Sequence, residues 1–222
     1  MTRQEAISIA KPILFSTEMV QAILDGKKTQ TRRVIKIDDA PENWKISIAG
    51  TSIVRTEPYD VKLPRYAAGD ILWVRETWTW LPHWNCESDE AGYCRGCTKI
   101  YKGEHGCFIY KENMPDWEDG WCSPIHMPRD AARIFLKVKG VRVERVQEIT
   151  VDDCRLEGCC CSDCLQTGPH SPDCKCDTLF YNVWNDINAK RGYGWDTNPW
   201  VWVVEFERIS KDEAYKKEGL KC

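Results

Sequence analysis

The chain has 222 residues, 42% of them hydrophobic, with 31 basic and 34 acidic side chains for a formal net charge of −3. Such a composition supports a packed core and excludes disordered and fibrous classes. It supplies no global positive field, so any nucleic-acid site must be a local patch. No run of about 18 uncharged apolar residues occurs, so no membrane-spanning helix is expected. Met1 to Ala10 carries Arg3 and Glu5 without a long apolar stretch, so no secretory signal is expected and the chain reads as soluble and cytoplasmic.

In chain order, Ser16 or Thr17 caps a short helix from Glu18, with Met19, Val20 and Ile23 as its apolar face and Gly26 as its stop. A basic run, Lys27 to Lys36, follows. Gly69-Asp70 turns the chain into Ile71-Leu72-Trp73-Val74, a short buried strand. Ile134, Leu136 and Val138 alternate with Arg133, Phe135, Lys137 and Lys139; Gly140 interrupts, and Val141 and Val143 resume the alternation. This pattern predicts one long strand, bent or bulged at Gly140. Thr150 followed by Asp153 opens one or two helical turns that end at Gly158. Phe180, Val183, Trp184 and Ile187 recur at helical spacing and predict a helix with an apolar stripe. Trp200 to Phe206 reads as a final strand.

These elements predict a single domain over residues 1–222. Cys-rich inserts fall at about 81–124 and 159–177, and a charged tail covers 210–222. The expected class is mostly β with peripheral helices (α+β), arranged as a small β barrel.

The segment Asp25-Gly26-Lys27-Lys28-Thr29-Gln30-Thr31-Arg32-Arg33 concentrates cations and hydroxyls just after a helix stop. Charge runs are usually solvated loops. Gly26, however, allows a tight turn, and an extended strand would set Lys27, Thr29, Thr31 and Arg33 on one face and Lys28, Gln30 and Arg32 on the other.

Gly26-x-Lys28-x-x-x-x-Arg33 resembles the GxKxxxxR signature of ASCH domains, a branch of the PUA-like superfamily. Gly69 to Glu76 resembles the lead-in to that family's second strand, and Ile149 to Gly158 its short acidic helix ending in Glu-Gly. Phe180 to Phe206 resembles its C-terminal part. Pro12 to Phe15, Ser123 to Arg129 and Asn198 to Trp202 further resemble ASCH-like proteins of phages and prophages. Neither Cys-rich insert is covered.

The resemblance implies a PUA-like fold that binds RNA, DNA or a modified nucleobase. It also implies, as an alternative, the chemistry of the bacterial ASCH proteins that hydrolyse the acetyl amide of 4-acetylcytidine. Their lysine, threonine and glutamate map onto Lys28, Thr31 and Glu157. A threonine hydroxyl needs a base beside it, and a lysine serves once burial or a neighbouring cation lowers its pKa. A nearby glutamate orients the lysine or carries a proton to the leaving amine. Arg33 is suited to hold a phosphate or a carboxylate, not to act as a base. Gly26, Arg33, Arg75, Glu76, Trp78 and Trp195 are the candidate base- or nucleic-acid-binding residues. Of these, Trp78 and Trp195 lie beside polar or glycine residues and are the candidate stacking faces, whereas Trp73, Trp184 and Trp202 sit on apolar patterns and read as core. A third expectation is a non-catalytic phage accessory or structural protein.

Twelve of the 13 cysteines fall between Cys86 and Cys176. In a reducing compartment, such close spacing points to metal before disulfide. Cys86, Cys94, Cys97 and Cys107 form one candidate tetrahedral set. Cys161, Cys164, Cys174 and Cys176 form the second, with Cys159, Cys160 or His170 as substitutes. Two structural zinc ions are therefore expected. The motif of zinc nucleobase deaminases, H-x-E with P-C-x-x-C, is absent.

Overall fold

A computed structural model describes residues 10–36, 46–49, 52–55, 61–62, 64–82, 99–101, 104–118, 120–162, 164 and 174–216. In chain order the strands are β1 (Lys11–Leu14), β2 (Gln30–Val34), β3 (Ile46–Ala49), β4 (Ser52–Arg55), β5 (Val61–Lys62), β6 (Ile71–Arg75), β7 (Trp78–Pro82), β8 (Lys99–Tyr101), β9 (Glu104–Tyr110), β10 (Phe135–Arg145) and β11 (Trp200–Ile209). The helices are α1 (Thr17–Leu24), α2 (Val151–Leu156), α3 (Cys176–Asn188) and α4 (Lys211–Lys216). The fold is α+β and mostly sheet.

Five strands make the principal sheet in the order β1-β6-β10-β11-β2, with β1 and β6 parallel and the other neighbours antiparallel. β10 and β11 are its spine. Their register shifts between Val138 and Gly140, so the long strand is interrupted at the glycine that breaks its alternation. Val201, Val203 and Val204 of β11 are buried on both faces, as a near-continuous β-branched run in an inner strand requires. On one face, Ile13, Leu72, Leu136, Val138, Val204 and Phe206 pack with Val20 and Ile23 of α1. The other face packs Val201 and Val203 against Phe180 and Trp184 of α3.

No closed barrel is found among the described residues. Among the described residues the edge strands β1 and β2 share no ladder. A side chain spans the gap instead: the Arg33 guanidinium donates to the Leu14 carbonyl at 2.7 Å. Two further three-stranded sheets, β3-β4-β5 and β7-β9-β8, are described, the second falling where the first Cys-rich insert was expected. No helix among the described residues is long and apolar enough to cross a membrane.

Ser16 caps α1 by accepting from the Met19 N–H, and Thr150 caps α2 by accepting from the Asp153 N–H. After α1, Gly26 takes φ +74°, and the N–H groups of Lys27 and Lys28 both return to the Ala22 carbonyl. This reversal starts β2 directly beneath the end of α2.

Candidate functional site

The backbone of Lys28 and Thr29 is gripped from three sides. Lys28 N–H donates to Ala22, Thr29 N–H donates to the Leu156 carbonyl at 2.8 Å, and the Thr29 carbonyl accepts from Phe206 N–H at 2.8 Å. Lys28 and Glu157 thereby form an isolated β-bridge. Gly158 makes this approach possible. It adopts φ +89°, and a Cβ placed there would lie 2.9 Å from the Ala22 Cβ and 3.4 Å from the Lys28 Cβ. A larger residue would meet both backbone strain and a wall of α1.

The Lys28 side chain, 1% exposed, donates from Nζ to Glu157 Oε2 and to the Glu157 carbonyl, both at 2.8 Å. Glu157 Oε1 accepts from Arg32 at 3.0 Å. Arg32 in turn pairs with Glu144 and, at 3.2 Å, with Asp153, which also accepts from Gln30 and Arg142. Lys28, Gln30 and Arg32 are therefore one buried polar face of β2, as the alternation of the strand requires. Burial pulls the Lys28 ammonium below its usual pKa, against the opposing pull of Glu157. A buried ionisable group with a shifted pKa beside a cavity makes a functional-site candidate, and structural ion-pair networks shift pKa values in the same way.

Glu157 lines a cavity of about 270 Å³ together with Thr31 and Arg33. Its far wall is α3, which contributes Phe180, Val183, Trp184, Ile187 and Asn188, and Arg191 follows the helix. The size is just under the roughly 300–1,000 Å³ of drug-sized ligand pockets. The predicted stripe of α3 is split by this wall. Phe180 and Trp184 are 4% and 3% exposed, whereas Val183 and Ile187 are 37% and 43% exposed. They remain uncovered because they border a cavity and not a packed neighbour.

The structure thus brings Lys28 and Glu157 into contact and sets Thr31 on the same cavity. It does not join Thr31 to Lys28: they occupy opposite faces of the strand, and no hydrogen bond links them. Arg33, half-buried, stacks over Phe15 at 5.3 Å. Arg75 lines a neighbouring cavity of about 510 Å³, which also touches Arg33.

Four candidates sit elsewhere. Trp78 is 3% exposed and packs edge-on against Tyr101 and Phe108, so no stacking face is offered. Trp195 packs on Phe180 and Tyr181 at the outer side of α3 and lines neither cavity. Glu76 is 1% exposed and receives two hydrogen bonds from Arg133, at 2.9 and 2.8 Å, as a buried structural pair. Gly26 serves the turn. The aromatic cavity walls are Trp184, Trp202, Phe180 and Tyr66. Of these, Trp184 and Trp202 carry apolar sequence patterns that read as core. Arg32, Asn188 and Arg191 were also missed. For Arg32 the signal was present, since it shares the strand face of Lys28.

Cys161, Cys164, Cys174 and Cys176 converge, all four sulfurs lying within 4.8 Å of one another. The Cys176–Cys161 and Cys176–Cys164 separations are 3.7 and 3.8 Å. A tetrahedron with metal–sulfur bonds of about 2.3 Å has edges of about 3.8 Å. The spacing therefore suits one metal ion. Backbone N–H groups of Lys175 and Cys164 pull the Cys161 thiol down to about 6. Cys159 is outside the cluster and lines the smaller cavity, where burial pushes its thiol up to about 11. Cys107 lies on β9 opposite Leu81. Its predicted partners Cys86, Cys94 and Cys97, like His170, lie outside the described residues.

No protein-family model matches the chain, and no curated protein matches it. Among solved structures, the crystal structure of protein EF3133 from Enterococcus faecalis V583, described with the family model DUF984, is similar over 91% of this chain and 81% of that chain. The identity is 8% and the TM-score 0.40. A likeness of that size assigns neither a family nor an activity.

Proposed function

We propose that the protein is an ASCH-like, PUA-like module that recognises a nucleobase, in particular a modified one, in the cavity between β2 and α3. The observation that carries this reading is Glu157. Its two oxygens are fixed by Lys28 and Arg32, and each retains an unused lone pair at a cavity walled by Phe180 and Trp184. A fixed carboxylate accepts from an exocyclic amine of the cytosine type. The apolar walls take the faces of the ring. Arg33 and Arg191 bring positive charge to the same cavity for a phosphate-bearing ligand.

Amide hydrolysis of an acylated nucleoside is the second reading. It is favoured by one observation, the buried Lys28 with its lowered pKa next to Glu157. In that reaction water adds across the acyl C–N bond, releasing a carboxylic acid and the free exocyclic amine. Thr31 would have to reach Lys28 on ligand binding, because the two are not bonded in the free protein.

A structural zinc ion fits the second cysteine set, whose soft thiolates and tetrahedral spacing select it. It would staple the segment that follows Glu157 to the first turn of α3, and so hold the two walls of the cavity together.

Titration with cytidine and with 4-acetylcytidine, using the wild type and Thr31→Ala, tests the reading. Binding by both proteins, with modest loss in Thr31→Ala and no cytidine released, is the expected result. Release of cytidine that disappears in Thr31→Ala replaces it with the hydrolase. Failure of either nucleoside to bind overturns both.

A further inference from the structure

Beside the smaller cavity lies the larger one, of about 510 Å³, and the two share Leu14, Arg33, Val34 and Lys36. It opens between edge strands β1 and β2, which share no ladder among the described residues. Trp202 and Tyr66, 8% and 7% exposed, form part of its lining. Among the described residues the lining also carries Arg33, Lys36, Arg65 and Arg75, and no carboxylate.

Two of these guanidinium groups flank the end of β1. Leu14 faces Arg75 in the parallel ladder, and its carbonyl accepts from Arg33 at 2.7 Å. Arg75 stacks over Trp73 at 4.9 Å, yet its Nε is buried with no hydrogen-bond partner. Among the described residues neither Arg33 nor Arg75 pairs with a carboxylate. Two other buried or half-buried arginines do pair with carboxylates: Arg32 with Glu144, Asp153 and Glu157, and Arg133 with Glu76 and Glu112. A buried donor without an acceptor carries its desolvation cost uncompensated. Converging cations present a field that an oxyanion relieves. Burial also pulls the Arg33 guanidinium down from its usual value, against the opposing pull of Tyr66 and Glu157 and with smaller help from Arg191 and Arg65.

We infer that the larger cavity is an anion subsite that takes a phosphate group joined to the occupant of the smaller one, so that the ligand is a nucleotide and not a free nucleoside. The identity of what the phosphate is attached to rests on the nucleobase reading; the subsite itself does not. Arg33 stands where the cavities meet and contacts both parts of such a ligand. The phosphate is either a monoester of a free nucleotide or a diester of a strand, since both present the same oxygens to a guanidinium fork.

The full chain is titrated calorimetrically with pyrophosphate, cytidine, cytidine 5′-monophosphate and a short single-stranded oligocytidylate. The variants Arg75→Gln and Arg65→Gln are run alongside, with circular dichroism as a fold control. Pyrophosphate binding that falls about tenfold or more in Arg75→Gln, and cytidine monophosphate or oligocytidylate binding at least about tenfold tighter than cytidine, is expected. Whichever phosphate ligand binds tighter assigns the monoester or the diester. Arg65 is exposed, so Arg65→Gln keeps the test decisive should Arg75→Gln fail to fold. Pyrophosphate that does not bind, or that binds both variants like the wild type, overturns the subsite even where cytidine binds. Pyrophosphate binding that depends on Arg75, without cytidine binding, upholds the subsite and overturns the nucleobase reading alone.

Discussion

Lys28 Nζ lies 2.8 Å from Glu157 Oε2 although the two residues are 129 positions apart, and their backbones form an isolated bridge in the same place. Glu157 is shared with Arg32, whereas among the described residues the Lys28 ammonium pairs with no other carboxylate. The two halves of the pair should therefore respond unequally. Glu157→Leu strands the buried Lys28 ammonium and takes one of three carboxylates from Arg32, and should cost about 3–5 kcal/mol. Lys28→Met leaves Glu157 paired with Arg32 and should cost about 1–3 kcal/mol. Urea denaturation of both variants checks the order; equal losses would mean that Arg32 does not share the load.

Gly158→Ala should destabilise by about 1–3 kcal/mol, because φ is +89° and the new methyl meets Ala22 at 2.9 Å. Gly26→Ala has a similar φ of +74° but nothing within 4 Å of its Cβ, so it reports backbone strain alone. If both fall equally in thermal melts, the close packing at Gly158 contributes nothing.

Burial alone would raise the Asp153 carboxyl, but the hydrogen bond from Gln30 and the charges of Arg32 and Arg142 outweigh it and hold it below its ordinary value. A carboxylate held down in this way stabilises the fold above its unfolded pKa of about 3.9, and the contribution is lost as pH falls through the folded value. Asp153→Asn should therefore be less stable than wild type at pH 7, with the gap closing below about pH 4. A gap constant from pH 7 to pH 2 would assign the loss to the Thr150 cap region and not to charge.

If the cysteine cluster holds the metal ion its spacing suits, removing that ion should act on the cavity and not only on the cysteines. Cys161 follows Glu157 by one short segment, and Cys176 opens α3, which supplies Phe180, Trp184 and Asn188 to the wall. Cys164→Ser with Cys176→Ser should lower the bound metal by one ion per chain, measured by elemental analysis. The same change should weaken nucleoside binding and lower helix content. Metal content unchanged in the double variant would rule out the cluster as a site.

Local elements were legible in the sequence because local rules produce them. The Ser16 and Thr150 caps, the interruption at Gly140 and the β-branched run of β11 each depend on residues within a few positions of one another. The sequence also placed Cys161, Cys164, Cys174 and Cys176 in one candidate set, since their spacing is short. It read Trp184 and Trp202 as core, which they are, but not that they also border cavities, and it took the buried Trp78 for a stacking face, because periodicity says that a side chain is apolar, not what stands opposite it.

By itself, the sequence determined the α+β class, the capped helices, the bulged strand, the clustered thiols and the basic segment from Lys27 to Arg33. Only the tertiary structure decided that Lys28 and Arg32 converge on Glu157, that Val183 and Ile187 face a cavity, and that Arg33 and Arg75 line one cavity with no carboxylate ion pair among the described residues. The reason is the range of the forces involved. Backbone hydrogen bonding and hydrophobic period act over a few residues. Desolvated ion pairs and cavities arise only when segments more than a hundred residues apart are pressed together, and their chemistry is set by what that packing leaves unpaired.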